Sequence, residues 1–526
     1  REGQKDLAAA VYRTIWHGKK LFIQAPTGVG KTLSTVFPAV QAVGQELGDK
    51  IFYLTAKTIT RTVAEEAFSL LKKQGLHYKV LTLTAKEKIC FCEEPDCNPE
   101  KCPYARGHFD RVNDAVYELL TSYEENSANY SRERIMEQAE KWKVCPFEMA
   151  LDVSLWSDAI ICDYNYVFDP QAKLKRFFAE GVKGDYLFLI DEAHNLVERG
   201  REMYSATLYK EDFLEVKRFL KPFSRKAVAA LERGNKYLLE WKRECGEYTL
   251  LSNIDSFALN LFNVSHALEQ LLEDRESVMN RPSTDSEIEE GKKKTLDFYF
   301  QVRAFLEIYE ELDDSYEIYV QHDREGRFAL KLYCIHTADK IGQCLEKGRA
   351  SILFSATLLP VQYYMELLSG KPEDYAVYAK STFDPAKKKV LLGLDVSTKY
   401  TRRTPAEYQK IASYIRQITD SRQGNYLVFF PSYKMMTDVR EYFEAEMQDD
   451  TEILEQSMHM SEAQREEFLE QFQERESGTL IGFCVMGGIF GEGIDLKKDR
   501  LIGAIVVGPG LPQVCNEREI LKQYYD

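Results

Sequence analysis

No stretch of this 526-residue chain approaches the roughly 20 uninterrupted apolar residues that a membrane helix needs, and nothing in it reads as a signal peptide. A helical membrane protein is thereby excluded, and the expectation is a cytoplasmic enzyme with no membrane partner. Excess positive charge is lacking as well: 69 Lys and Arg stand against 84 Asp and Glu, a formal net charge of −15. Such a balance argues against a surface coated in positive field for indiscriminate nucleic-acid binding, while leaving room for a local basic groove. The two close C-x₂₋₄-C pairs usual in structural zinc sites are not both present. The first residue is Arg1 and not Met, so the chain is expected to be part of a longer one.

What is present is an ordinary globular mixture, 44% apolar and 29% charged. At about 150 residues per domain the length predicts three or four units. The short apolar run Leu21-Phe22-Ile23 leads into Ala25-Pro26-Thr27-Gly28-Val29-Gly30-Lys31-Thr32, and a helical pattern follows. This reads as a phosphate-binding loop, with Ala25 where the usual G-x-x-x-x-G-K-[ST] string begins with Gly. Successive backbone N–H groups and a helix N-terminus would cradle an anion. Lys31 would reach the β- and γ-phosphates, and Thr32 would ligate Mg²⁺. Gln4, about twenty residues upstream, is either an adenine-reading amide or a solvated glutamine at a helix start.

Around this loop the chain alternates strand-like and helix-like pieces. Ile51–Leu54 looks buried on both faces, and Thr60–Lys72 has helical spacing, so a doubly wound parallel sheet is expected. From Leu83 to Phe147 the rhythm stops, and five of the eleven cysteines fall there: Cys90, Cys92, Cys97, Cys102 and Cys145. Irregular gaps between Cys90, Cys97, Cys102 and Cys145 suit an iron-sulfur cluster; zinc and ordinary thiols remain open on spacing alone.

The strand pattern resumes at Ala159–Cys162, and Tyr186–Ile190 leads into Asp191-Glu192-Ala193-His194. Carboxylates at the C-terminal end of a strand in an open α/β sheet lie where ligands bind. Asp191 would belong to the Mg²⁺ shell, and Glu192 would orient and deprotonate water. Residues 205–321 read as a helical insertion, with a polar break at 275–294. A further strand, Ser351–Phe354, ends in Ser355-Ala356-Thr357-Leu358. A second α/β unit then starts near Val390, with strands expected at 426–430, 479–484 and 501–507. Between the last two lies a glycine-rich loop, Gly487 to Asp495.

In this order the motifs resemble the XPD/DinG-like iron-sulfur DNA helicases of superfamily 2, with the bacterial DinG branch most similar. Gln4 matches the adenine-reading glutamine, Ala25–Thr32 the nucleotide loop, Tyr53-Leu54-Thr55-Ala56-Lys57-Thr58 a strand-contacting motif with Thr55, Lys57 and Thr58 as its DNA-binding residues, and Asp191–His194 the DEAH box. Phe354–Leu358 is similar to the coupling motif, and Gly493 and Asp495 to the residues that sense nucleotide. Cys90, Cys97, Cys102 and Cys145 match the family's cluster ligands. The resemblance implies an α/β fold with two RecA-like parallel-sheet motor domains, the first carrying an iron-sulfur insertion and a helical arch. The division expected is 1–84, 148–204 and 326–388 for the first motor, 85–147 for the 4Fe-4S domain, 205–325 for the arch, and 389–526 for the second motor. The function implied is ATP- and Mg²⁺-dependent 5′ to 3′ movement on single-stranded DNA and unwinding of DNA with a single-stranded 5′ overhang. The alternative is a non-motor ATP- and DNA-binding scaffold that keeps the cluster. The family's last motif, Q-x-x-G-R-x-x-R, has no counterpart after Asp495. Truncation and slow turnover are therefore expected, with Arg518 the first candidate for a catalytic arginine within the chain.

Overall fold

The computed structural model describes residues 3–526 apart from 56, 57, 94, 95, 123–128, 382, 492, 493, 495, 512 and 513, with backbone only at 58, 59, 462 and 463. It divides into two compact units, Arg1–Phe383 with Asn516–Asp526, and Asp384–Cys515.

In the first unit, β1 (Lys20–Gln24), β2 (Lys50–Leu54), β3 (Val80–Thr82), β4 (Asn129–Tyr130), β5 (Ala159–Cys162) and β6 (Tyr186–Asp191) come before the helical insertion. The insertion brings β7 (Ala206–Tyr209), β8 (Tyr248–Leu250), β9 (Tyr316–His322) and β10 (Phe328–Cys334), and β11 (Ala350–Ser355) and β12 (Tyr375–Tyr378) follow it. The main sheet runs β12-β1-β11-β6-β2-β5-β3-β4, with parallel pairings.

Side chains alternate between its two faces, and both faces are buried. Phe22, Phe52, Phe188 and Leu353 enter one core, whereas Leu21, Tyr53, Leu189 and Ile352 enter the other. The second face is covered by the helices Gln4–His17, Lys31–Gly44 and Thr58–Lys73. The first of these buries Leu7, Val11, Thr14 and Ile15, a helical stripe, and stops at Gly18, whose φ of 61° is the left-handed cap that favours glycine.

The helical insertion departs from its expected all-helical character. The helices Lys210–Leu220, Arg225–Glu244, Asp255–Glu273 and Ser286–Glu310 are there, but β7, β10, β9 and β8 pair as an antiparallel sheet. β7 and β8 are only 4 and 3 residues long, and all four strands flank long helical patterns, so their period-2 signal is swamped. The polar break is also narrower than expected. Asp285 caps the last helix by accepting from the Glu287 N–H at 2.9 Å, and the first turns are helical but solvated. Sparse apolar residues there meant an exposed helix end, not an absent helix.

The helix Asn516–Tyr525 packs on this antiparallel sheet. Ile520 is buried with Tyr319, Tyr333 and Ile335, Tyr319 donates to Glu517 at 3.0 Å, and Lys331 pairs with the same carboxylate.

The second unit contains β13 (Asn425–Phe430), β14 (Thr451–Glu455), β15 (Thr479–Val485) and β16 (Gly503–Val506) in the order β14-β15-β13-β16, with parallel pairings. The glutamates in Thr-Glu-Ile-Leu-Glu hid β14 from a search for apolar runs. The α/β architecture expected from the sequence is the one observed. Among the described residues, no helix is long and apolar enough to cross a membrane.

Candidate nucleotide-binding site

The order of the main sheet puts the C-terminal ends of β1, β11 and β6 side by side, and each ends in a motif residue. β1 delivers the chain to Ala25, whose N–H donates to the Ser355 carbonyl at 3.0 Å. Pro26 and Thr27 carry the loop outward. Gly28 and Gly30 then turn it with φ of 82° and 84°, a backbone that side chains other than glycine's rarely adopt.

Space is scarce at both positions. A Cβ at Gly28 would stand 2.8 Å from the Phe383 ring, and one at Gly30 would stand 2.1 Å from Gln4 Nε2. The helix Lys31–Gly44 opens at Gly30 with no side-chain cap, which leaves its first N–H groups for an anion. Gln4 reaches the loop and donates from Nε2 to the Val29 carbonyl at 2.9 Å.

Asp191 ends β6 and is buried, 4% exposed. Its Oδ1 accepts the Glu192 N–H at 2.9 Å, and its Oδ2 accepts the Tyr53 hydroxyl at 2.7 Å. Burial first, and the Glu192 charge second, push the Asp191 carboxyl up to about 6; the Tyr53 hydrogen bond and Lys31 oppose the rise. Glu192 holds a φ of 47°, unusual for a residue with a side chain. The Tyr164 hydroxyl steadies that turn by donating to the Asp191 carbonyl and, at 3.0 Å, to the Glu192 carbonyl.

The Glu192 carboxylate is held at both oxygens. Lys31 Nζ lies 3.4 Å from Oε1, and the Ser355 hydroxyl donates to Oε2 at 2.9 Å. Ser355 Oγ is also 2.8 Å from His194 Nδ1 and accepts the Thr357 N–H at 3.1 Å. An anion-binding loop, a lysine and two carboxylates, one buried and one reachable, therefore share one sheet edge. That is the equipment for binding a polyphosphate and activating water beside it.

Three family models match the chain: DEAD/DEAH box helicase over residues 3–90, DEAD_2 over 57–213, and helicase C-terminal domain over 415–526. In all three regions the chain is similar to the XPD/DinG-like helicases of superfamily 2. It is 19% identical to the ATP-dependent DNA helicase YoaA of Escherichia coli, covering 99% of this chain and 84% of that protein. With the ATP-dependent DNA helicase XPD of Sulfolobus acidocaldarius it shares 23% identity, over 97% of this chain and 85% of that one. A solved XPD helicase shares the fold, with a TM-score of 0.57 at 19% identity over 99% of this chain and 87% of the other.

In this XPD/DinG-like chain, Lys31, Asp191 and Glu192 come together with Gln4 and the loop Ala25–Thr32. Gly493, Asp495 and Lys57 lie outside the described residues, as does the Thr58 side chain. Thr55 is fully buried and its hydroxyl pairs with that of Thr60, so its side chain does not face solvent. Arg518 is exposed on the helix that packs against the antiparallel sheet.

Mg²⁺ fits the residues present. Asp191 ends β6 and Thr32 opens the helix that follows β1, so the carboxylate and hydroxyl oxygens that a divalent cation uses come from the same sheet edge as Lys31 and Glu192. In the cysteine insertion all five sulfurs are free thiols. Cys92 Sγ is 4.0 Å from Cys102 Sγ, and the Cys92 N–H donates to Cys90 Sγ at 3.4 Å. Cys97 first, and Cys145 more weakly, push the Lys86 ammonium upward, so both thiols lie near that one side chain. Soft thiol donors of this kind fit a cluster by chemistry. Among the described residues, no three potential ligands converge on one point.

Sequence reasoning missed the roles of Tyr53 and Tyr164. The available signal was a phenol within the otherwise apolar buried run Ile51–Leu54, where a hydroxyl is costly unless it has a partner.

Proposed function

We propose that this chain is an ATP-dependent DNA helicase that hydrolyses ATP at the β1/β11/β6 edge and moves 5′ to 3′ on single-stranded DNA, opening duplexes that carry a single-stranded 5′ overhang. The supporting observation is the convergence of Lys31, Glu192 and buried Asp191 on an uncapped helix N-terminus.

The loop N–H groups and Lys31 bind the β- and γ-phosphates, and Gln4, already on the loop, reads the adenine edge. Lys31 and Glu192 neutralise one another before nucleotide arrives. A γ-phosphate draws Lys31 to itself and leaves Glu192 held by Ser355, free to orient water and accept its proton. Thr32 and Asp191 would hold Mg²⁺, which supplies charge neutralisation on the transferred phosphoryl. Gly493 and Asp495 take the role of nucleotide sensing.

Lys57, as the cation, and Thr58 contact the strand, whereas buried Thr55 does not. Single-strand binding needs only a local basic track, so an acidic protein can do it. Cys90, Cys97, Cys102 and Cys145 would hold a 4Fe-4S cluster, which supplies a rigid cross-link between the segment 90–102 and the start of the helix Pro146–Trp156, whose N-cap is Cys145.

The test is DNA-stimulated phosphate release and separation of a 5′-tailed duplex by the wild-type chain and by Lys31→Ala. Loss of both activities in the variant, with fold and DNA binding kept, is expected. Unwinding by Lys31→Ala at near wild-type rate refutes the assignment. Nucleotide and DNA binding without turnover, both in this chain and in one extended through a Q-x-x-G-R-x-x-R motif, favours a non-motor scaffold.

A further inference from the structure

Tyr53 is fully buried and its ring packs edge-on against Phe354, at 6.2 Å between centroids. A phenylalanine would fill the same space without carrying a hydroxyl into the core. The hydroxyl is spent on the acidic box: it donates to Asp191 Oδ2 at 2.7 Å. Asp191 Oδ1 is occupied by the Glu192 N–H, so the two donors fix the carboxylate plane between them.

We propose that Tyr53 is a positioning residue of the nucleotide-cation site, its hydroxyl aligning the Asp191 carboxylate for a divalent cation. The inference rests on the reading of this edge as an ATP site. Tyr53 is fully buried. It acts through Asp191, as the hydrogen-bonding partners of metal-binding carboxylates do, and loss of such partners costs about 10- to 100-fold in metal affinity.

The test follows fluorescent N-methylanthraniloyl-ATP binding during a Mg²⁺ titration of wild type, Tyr53→Phe, Asp191→Asn and the double variant, with circular dichroism as the fold control. In Tyr53→Phe the Mg²⁺ midpoint is expected to rise about 10-fold or more, while nucleotide affinity in EDTA and single-stranded DNA affinity stay within about 2-fold. With Asn at 191, removal of the Tyr53 hydroxyl should move the midpoint no further. An unchanged midpoint in folded Tyr53→Phe overturns the inference. So does a shift between Asp191→Asn and the double variant, which is read even if Tyr53→Phe alone fails to fold. If the wild-type chain binds the nucleotide equally with and without Mg²⁺, the ATP-site reading falls, and this inference with it.

Discussion

Replacing Asp191 by Asn should stabilise the nucleotide-free protein at neutral pH. The Asp191 carboxyl goes from an ordinary 3.8 to about 6 on folding, because a buried charge has lost its water and faces Glu192. A rise of that size corresponds to a penalty of about 3 kcal/mol whenever the group is ionised in the folded state. The sign follows from proton counting. Between pH 3.8 and 6 the folded state binds more protons here than the unfolded one, so this group's contribution worsens as pH rises, and above 6 the penalty is complete. Asn carries no charge but turns one acceptor oxygen into a donor, which forfeits about 1 kcal/mol of hydrogen bonding to Tyr53 or the Glu192 N–H. The net expectation is about 2 kcal/mol of stabilisation at pH 7.5, shrinking to nothing or reversing near pH 4.5. Urea unfolding of both proteins in EDTA, followed by fluorescence at the two pH values, measures it. A variant less stable than wild type at pH 7.5, or a gain independent of pH, would refute the claim that Asp191 is held ionised at a cost.

Ser355→Ala removes the hydroxyl that joins Glu192, His194 and the Thr357 N–H. A hydrogen bond to a charged group is worth about 1.5–3 kcal/mol, so kcat for DNA-stimulated hydrolysis should fall about 10- to 100-fold with little change in KM; an unchanged kcat would mean Glu192 is oriented by other groups. In anaerobically purified protein, visible absorbance and about four irons per chain are expected, lost in Cys97→Ser and kept in Cys92→Ser. Stoichiometric zinc without iron would replace the cluster, and bleaching in Cys92→Ser would put that thiol, which lies by Cys102, into the ligand set.

The parallel core was legible because strands buried on both faces are written as unbroken apolar runs. Ile51–Leu54, Ala159–Cys162 and Tyr186–Ile190 became β2, β5 and β6 almost residue for residue. Pieces that depend on a partner to become regular were not legible. The register of β9 against β10 runs from Tyr316 opposite Cys334 to His322 opposite Phe328, and Tyr-Glu-Ile-Tyr-Val reads as strand only once that partner is known. The edge strand β12 is held on one side by β1 and exposes Tyr375 and Tyr378, so its composition has little to distinguish it from a loop. Likewise, nothing local to Asn516–Tyr525 says that Ile520 will be buried against an antiparallel sheet some 200 residues earlier in the chain.

The chemistry of the site was legible for a different reason. Phosphate binding imposes a local string, glycines at positive φ followed at once by Lys31 and Thr32, and a string can be read without a fold. What tunes the site is not local. Tyr53 on β2, Tyr164 after β5 and Ser355 on β11 meet Asp191 and Glu192 only because the sheet order puts β6 between β2 and β11. Each brings a hydroxyl, and each is fully buried, so water cannot substitute for it. The consequence is an order among the variants proposed here. Lys31→Ala removes charge that nothing else nearby supplies and should abolish turnover. Loss of the Tyr53 or Ser355 hydroxyl leaves every group that meets nucleotide in place and should degrade cation binding or rate by graded amounts.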